Sequence, residues 1–186
     1  MAQALLRRED GEARLAITVD MLAAMVASGT IDDPARVELI EGELVAMSPV
    51  HRAHARMTSR LNALLTASIG PQFEVLENIS VRLSDFNEPI ADLCVVKAGG
   101  TSDVVMPFEV VLVIEVSYTT AASDRNLKAP FYAKAGIPEL WIVDLKAGET
   151  FVHRGASEMG WEDVVSVPFG GELAAAFDGA VQLVVG

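Results

Sequence analysis

Three side chains have the types and positions that metal-assisted hydrolysis needs: Asp92 in "IADLCVV", Glu115 in "VVLVIEVS" and Lys128 in "SDRNLKAPFYAKAG". Both acids interrupt apolar runs that read as strands. Alternate residues of a strand share a face, so Val111, Val113, Glu115 and Ser117 point one way while Leu112, Ile114 and Val116 point the other. A carboxylate in such a setting must be paired, hydrogen-bonded or bound to a cation. Two acids on neighbouring strands repel unless a cation separates them, and hard oxygen ligands of this kind suit Mg²⁺ or Mn²⁺. The alternative for each acid is an ion pair with Arg or Lys, or an outward position on an edge strand. Asp124, Lys128 and Tyr132 recur every four residues, on the helix side opposite a stripe of Leu127, Phe131 and Ala135. That spacing fits a solvated ion pair. It equally fits a cation placed to neutralise a developing oxyanion or to orient water beside a metal.

The elements that must position these residues follow from periodicity and turn signals. "TVDMLAAMVASG" reads as a short helix capped by Thr18 and stopped by Gly29, and "RVELIEGELVAM" as a two-stranded hairpin. Ser48-Pro49 announces a second helix, closed by Gly70-Pro71. "FEVLENISVRL", "IADLCVVK" and "FEVVLVIEVS" are successive strands, the last two apolar enough to be covered on both faces. Residues 121–136 form a further helical stretch in which Pro130 implies a late start or a kink. "ELWIVDL", "ETFVHR" and "WEDVVSVP" add strands. The expected class is α/β or α+β, a mixed sheet with helices packed on it, in one domain over residues 1–186 with a flexible tail at residues 1–15.

Composition narrows the partners. The chain has 186 residues, half of them apolar, and no apolar run near the ~20 residues of a membrane helix. The first residues lack a signal-peptide pattern, so the expected location is cytoplasmic. The single cysteine, Cys94, excludes an intrachain disulfide and reads as a buried small hydrophobe. A net charge of -12 opposes casual binding to polyanions, although a local basic patch can override a screened bulk field. Arg52, Arg56 and Arg60 recur every four residues on the second helix. They suit phosphate contacts, or alternatively a solvated face paired with acids. No stacking platform for single strands is expected, because the Tyr and Trp residues fall at core or helix-end positions.

From Thr18 to about Asp144 the chain resembles the Uma-two family of endonucleases, a branch of the PD-(D/E)XK nuclease superfamily. The matching segments are "VELIEGELVAMSP" followed by a helix with His54, then "IADLCVV", "VLVIEVSYTT" and "DRNLKAPFYAKAGIPELWIVD". The resemblance implies a restriction-endonuclease-like mixed central sheet flanked by helices, with an extra N-terminal hairpin and C-terminal strands. It also implies Mg²⁺- or Mn²⁺-dependent cleavage of DNA by a symmetric homodimer. Asp92 takes the role of the metal-binding aspartate and Glu115 that of the second acid. Ala91 stands where the superfamily has proline, and Ser117 where it has the assisting lysine, so that role passes to Lys128, with Lys97 a weaker substitute. Glu38, Glu43 and His54 also match, Glu38 as an outer metal ligand and His54 as a hydrogen-bonding residue more than a base. Two other readings stay open: an inert nuclease-like fold used for binding, favoured by Ser117 and the acidic charge, and a hydrolase of a smaller phosphorylated molecule.

Overall fold

Capping and turn residues set most element boundaries in the computed structural model, which describes residues 4–7, 13–47, 49–102, 104–118, 124–178 and 182–185. Strands β1 (Ala4–Arg7) and β2 (Ala13–Ala16) pair antiparallel, so the segment expected to be a tail contains a hairpin. Helix α1 (Val19–Ala27) begins where the Thr18 hydroxyl accepts from the Met21 N–H at 3.2 Å. Strands β3 (Val37–Ile40) and β4 (Glu43–Ala46) form the next hairpin. Its two-residue turn holds Glu41 at φ 50° and Gly42 at φ 72°, the paired positive values that a tight hairpin of matching twist requires. Helix α2 (Arg52–Ser68) buries Met57, Leu61 and Leu65 and leaves Arg52, Arg56 and Arg60 exposed.

The main sheet follows. Its strands are β5 (Phe73–Ser80), β6 (Ile90–Lys97), β7 (Val110–Ser117), β8 (Glu139–Asp144), β9 (Glu149–Ser157) and β10 (Gly160–Pro168). A π-helical turn over Asp124–Lys128 and helix α3 (Ala129–Lys134) lie between β7 and β8, and β11 (Glu172–Ala174) pairs with β12 (Gln182–Val184) at the end of the chain. The order across the sheet is β10-β9-β8-β7-β6-β5, antiparallel throughout except for the parallel pair β7 and β8. A parallel pair needs a crossover, and the segment carrying α3 supplies it.

Every residue of β7 and β8 is buried, as inner strands covered on both faces should be. One face packs Leu93, Leu112, Ile114 and Trp141 against Leu61 and Leu65 of α2, and each such leucine contributes about 1.5–3 kcal/mol on burial. The other face packs Cys94, Val113, Leu140 and Ile142 against Ala129 and Tyr132. Cys94 is the buried hydrophobe expected, and burial pushes its thiol up to about 12.

Helix α3 differs from the expectation in phase. Leu127 is 37 % exposed, while Ala129, Tyr132 and Ala133 are buried. Pro130 has no N–H to continue an α-helical ladder backwards, so the preceding turn is the wider π form and α3 starts late. Lys128 and Tyr132 therefore turn toward the sheet.

The β3–β4 hairpin is fastened to the rest at Gly42, whose N–H donates to the Phe86 carbonyl and whose carbonyl accepts from the Ile17 N–H, both at 2.9 Å. A Cβ at this position would lie 2.6 Å from the Ala16 Cβ, in a backbone conformation that already disfavours side chains. We expect Gly42→Ala to lose about 1–3 kcal/mol of stability in urea denaturation. An unchanged midpoint would contradict this close approach.

Candidate active site

The antiparallel ladder between β6 and β7 stops at Leu93 opposite Ile114, although β6 reaches back to Ile90 and β7 runs on to Ser117. Beyond that rung β6 remains paired with β5, and β7 with β8. Asp92 and Glu115 are the next residues on either side of this fork. In place of a backbone bond, the Val116 N–H donates to Asp92 Oδ2 at 2.7 Å. His54 Nε2 lies 3.1 Å from the same oxygen, so the first turns of α2 are tied to the aspartate. An ionised Asp92 accepts both bonds, which assigns the proton of that contact to His54 Nε2.

Glu115 is held from the opposite side. The Tyr132 hydroxyl donates to Glu115 Oε1 at 2.7 Å, and the Lys128 ammonium lies 3.8 Å from that oxygen. Burial, the Glu115 charge and the hydrogen bond to it push the Tyr132 phenol well above its ordinary value, so Tyr132 serves as a neutral donor. Lys128 Nζ also donates to Glu38 Oε1 at 2.7 Å, and the same oxygen accepts from the Ile90 N–H at 3.0 Å. Glu38 thus links the β3–β4 hairpin, the start of β6 and the lysine. The hairpin is held in place by paired backbone bonds between Leu39 and Glu88.

The structure therefore joins Glu38, Lys128, Glu115 and Tyr132 by direct contacts and ties Asp92 and His54 to them through the Val116 backbone, from five segments of chain. Other expected residues lie elsewhere or act differently. Ser117 is fully buried, and its carbonyl accepts from the Leu145 N–H at 2.9 Å. Lys97 donates to the Phe108 carbonyl at 2.9 Å, and Glu43 is exposed on β4. The side chain of Asp124 lies outside the described residues.

The donor set can be compared with what a cation demands. Among the described residues no three His, Cys, Asp or Glu side chains converge into a ready-made metal cage. Zinc or calcium would want such a cage. Mg²⁺ keeps several waters and is commonly held by one or two carboxylates together with substrate phosphate, so Asp92 and Glu115 fit it. The Lys128 ammonium faces two carboxylates, Glu38 and Glu115, and Asp92 stands across the fork from Glu115, so a divalent ion would offset an excess of negative charge.

Some residues of this region were not legible as parts of a network. Glu139 is fully buried and accepts from Arg154 at 2.8 Å, from the Trp141 indole at 2.9 Å and from the Ala176 N–H at 2.6 Å. The Trp161 indole donates to the Ala129 carbonyl at 2.9 Å and pins the start of α3 beside Lys128. Only long-range contact reveals these roles; the local pattern of β9 and β10 shows strands and nothing more.

The Lys128–Glu38 pair is almost enclosed, with 12 % and 7 % of the two side chains exposed. Lys128→Met should cost about 3 kcal/mol or more by stranding Glu38, and adding Glu38→Gln should recover part of that loss. Urea denaturation of the two single variants and the double variant reads the coupling. Purely additive losses would show that the pair does not hold the hairpin to the sheet.

The architecture matches that of a crystallised chain from Anabaena variabilis ATCC 29413, described as "a putative nuclease belonging to DUF820", with a TM-score of 0.60 at 13 % identity, over 77 % of this chain and 85 % of that one. At that identity the likeness establishes the fold. No curated protein matches the chain. The model of the Uma2 family, described as "Putative restriction endonuclease", matches residues 23–185, and the chain belongs to that family.

Proposed function

We propose that this protein is a metal-dependent endonuclease that hydrolyses phosphodiester bonds of DNA at the fork between β6 and β7. The observation that carries this reading is the placement of Asp92 and Glu115 on either side of the fork, with the Lys128 ammonium 3.8 Å from Glu115 although these two residues are thirteen positions apart and on different elements. Family membership and the shared fold support a nuclease; the ion and the substrate are our reading. Asp92 and Glu115 would hold Mg²⁺ or Mn²⁺, which when bound supplies Lewis-acid polarisation of the phosphate and activation of water. Lys128 lowers the cost of negative charge that builds on the phosphoryl oxygens. His54 and the Val116 N–H fix Asp92, and Tyr132 fixes Glu115, so neither carboxylate has to reorganise when the substrate arrives.

One observation favours a second reading, an inert nuclease fold used for binding. Lys128 is 2.7 Å from Glu38 but 3.8 Å from Glu115, so its closer bond serves the hairpin. Cleavage of circular DNA in the presence of Mg²⁺ or Mn²⁺ separates the two. We expect cutting by the native chain and a loss of about 100-fold or more in Asp92→Ala and in Lys128→Met. Undiminished cutting by Asp92→Ala would overturn the site. No cutting and no heat of Mg²⁺ binding at millimolar concentration would favour the inert fold.

A further inference from the structure

Immediately beyond the candidate site, β7 ends and Tyr118 emerges with 38 % of its surface exposed. Its ring centroid is 5.2 Å from that of His51, the residue preceding α2, with the planes inclined by 47°. The Lys146 ammonium lies 5.3 Å from the Tyr118 centroid. The grouping is built into the fold. The Ser117 carbonyl accepts from the Leu145 N–H, so the residues that follow each of them, Tyr118 and Lys146, must be neighbours. The Asp144 carboxylate then accepts from the N–H groups of Lys146 and Ala147, both at 3.0 Å, and holds the turn that presents the lysine. On the other side, the helical turn after His51 carries Arg52, exposed, and His54, bound to Asp92.

Two partly exposed aromatic rings and an ammonium thus lie together where β7 leaves Glu115 and α2 approaches Asp92, with Arg52 exposed on the same helical turn, on a chain whose net charge is strongly negative. A hydrophobic-core role does not explain an exposed Tyr beside an exposed His. Stacking on a flat base explains the rings, and phosphate contact explains the cations. The Lys146 contact with the ring is exposed and therefore weak compared with base stacking, so an incoming base can displace the ammonium toward the backbone phosphate. A base inside a duplex offers no free face to such a surface. We propose that Tyr118 and His51, with Lys146, form a stacking platform that selects an unpaired nucleobase next to the scissile phosphate, making single strands or locally unpaired junctions the preferred substrate of this site. The proposal rests on the nuclease reading above; it departs from the expectation that the Tyr residues fall only at core or helix-end positions, since Tyr118 is exposed at the end of β7.

Fluorescence anisotropy in metal-free buffer, with a labelled oligothymidylate, a labelled oligouridylate and a labelled mixed-sequence duplex, tests it without relying on catalysis. The native chain should bind at least one single strand more tightly than the duplex, and the tighter of the two identifies DNA or RNA as the source of the base. Tyr118→Ala should weaken single-strand binding about tenfold and leave duplex binding unchanged, while Tyr118→Phe keeps the native affinity. Equal single-strand binding by Tyr118→Ala and the native chain overturns the platform, as does an equal loss for both single strand and duplex. Preference of the native chain for the duplex overturns the platform and leaves the nuclease reading standing. Binding of none of the three probes overturns the platform and leaves the nuclease reading to the cleavage assay above.

Discussion

Glu38, Asp92 and Glu115 are each more than nine-tenths buried, and a carboxylate taken out of water costs on the order of several kcal/mol unless donors or cations replace its hydration. The surrounding structure is arranged to supply them. Val116 and His54 serve Asp92, Tyr132 and Lys128 serve Glu115, and Lys128 and Ile90 serve Glu38. These contacts join the hairpin, both helices that flank the fork, and the two strands that form it, β6 and β7. Had the β6–β7 ladder continued, the Val116 N–H would have had a backbone partner and Asp92 would have lost a donor. The fork in the sheet and the acids placed at it are two sides of one arrangement.

Local signals account for much of what was legible in the sequence. Thr18, the Glu41-Gly42 turn, and the apolar runs around Asp92 and Glu115 each act over a few residues, and the corresponding elements form as expected. The mixed central sheet with its flanking helices also follows from alternating and helical periodicities together with the family resemblance. Helix α3 was misphased because the periodicity of Leu127, Phe131 and Ala135 presumes regular α-helical turns, and the π turn before Pro130 breaks that presumption. His51 and Tyr118 lie 67 positions apart, and no spacing rule brings them together. The contact of Glu139 with Arg154 and Ala176 is hidden for the same reason.

The segment "DRNLKAPFYAKAGIPELWIVD" divides physically into two groups. Lys128 and Tyr132 face the acids, whereas Glu139 and Trp141 bond to each other inside the molecule. One half of the segment shapes the site and the other secures β8 to the C-terminal strands. The absence of lysine at Ser117 acquires a structural reason. That position is fully buried and its backbone anchors the turn bearing Lys146, so an ammonium reaches Glu115 from α3's approach instead.

Whether Asp92 and Glu115 hold one cation beside Lys128, as we propose, is decided by anomalous scattering from crystals soaked in Mn²⁺. We expect a manganese peak bounded by the Asp92 and Glu115 carboxylates, with the Lys128 ammonium on the same side of the fork. Crystals that diffract well, contain Mn²⁺ elsewhere or in solvent, and show no peak between those two side chains would contradict it.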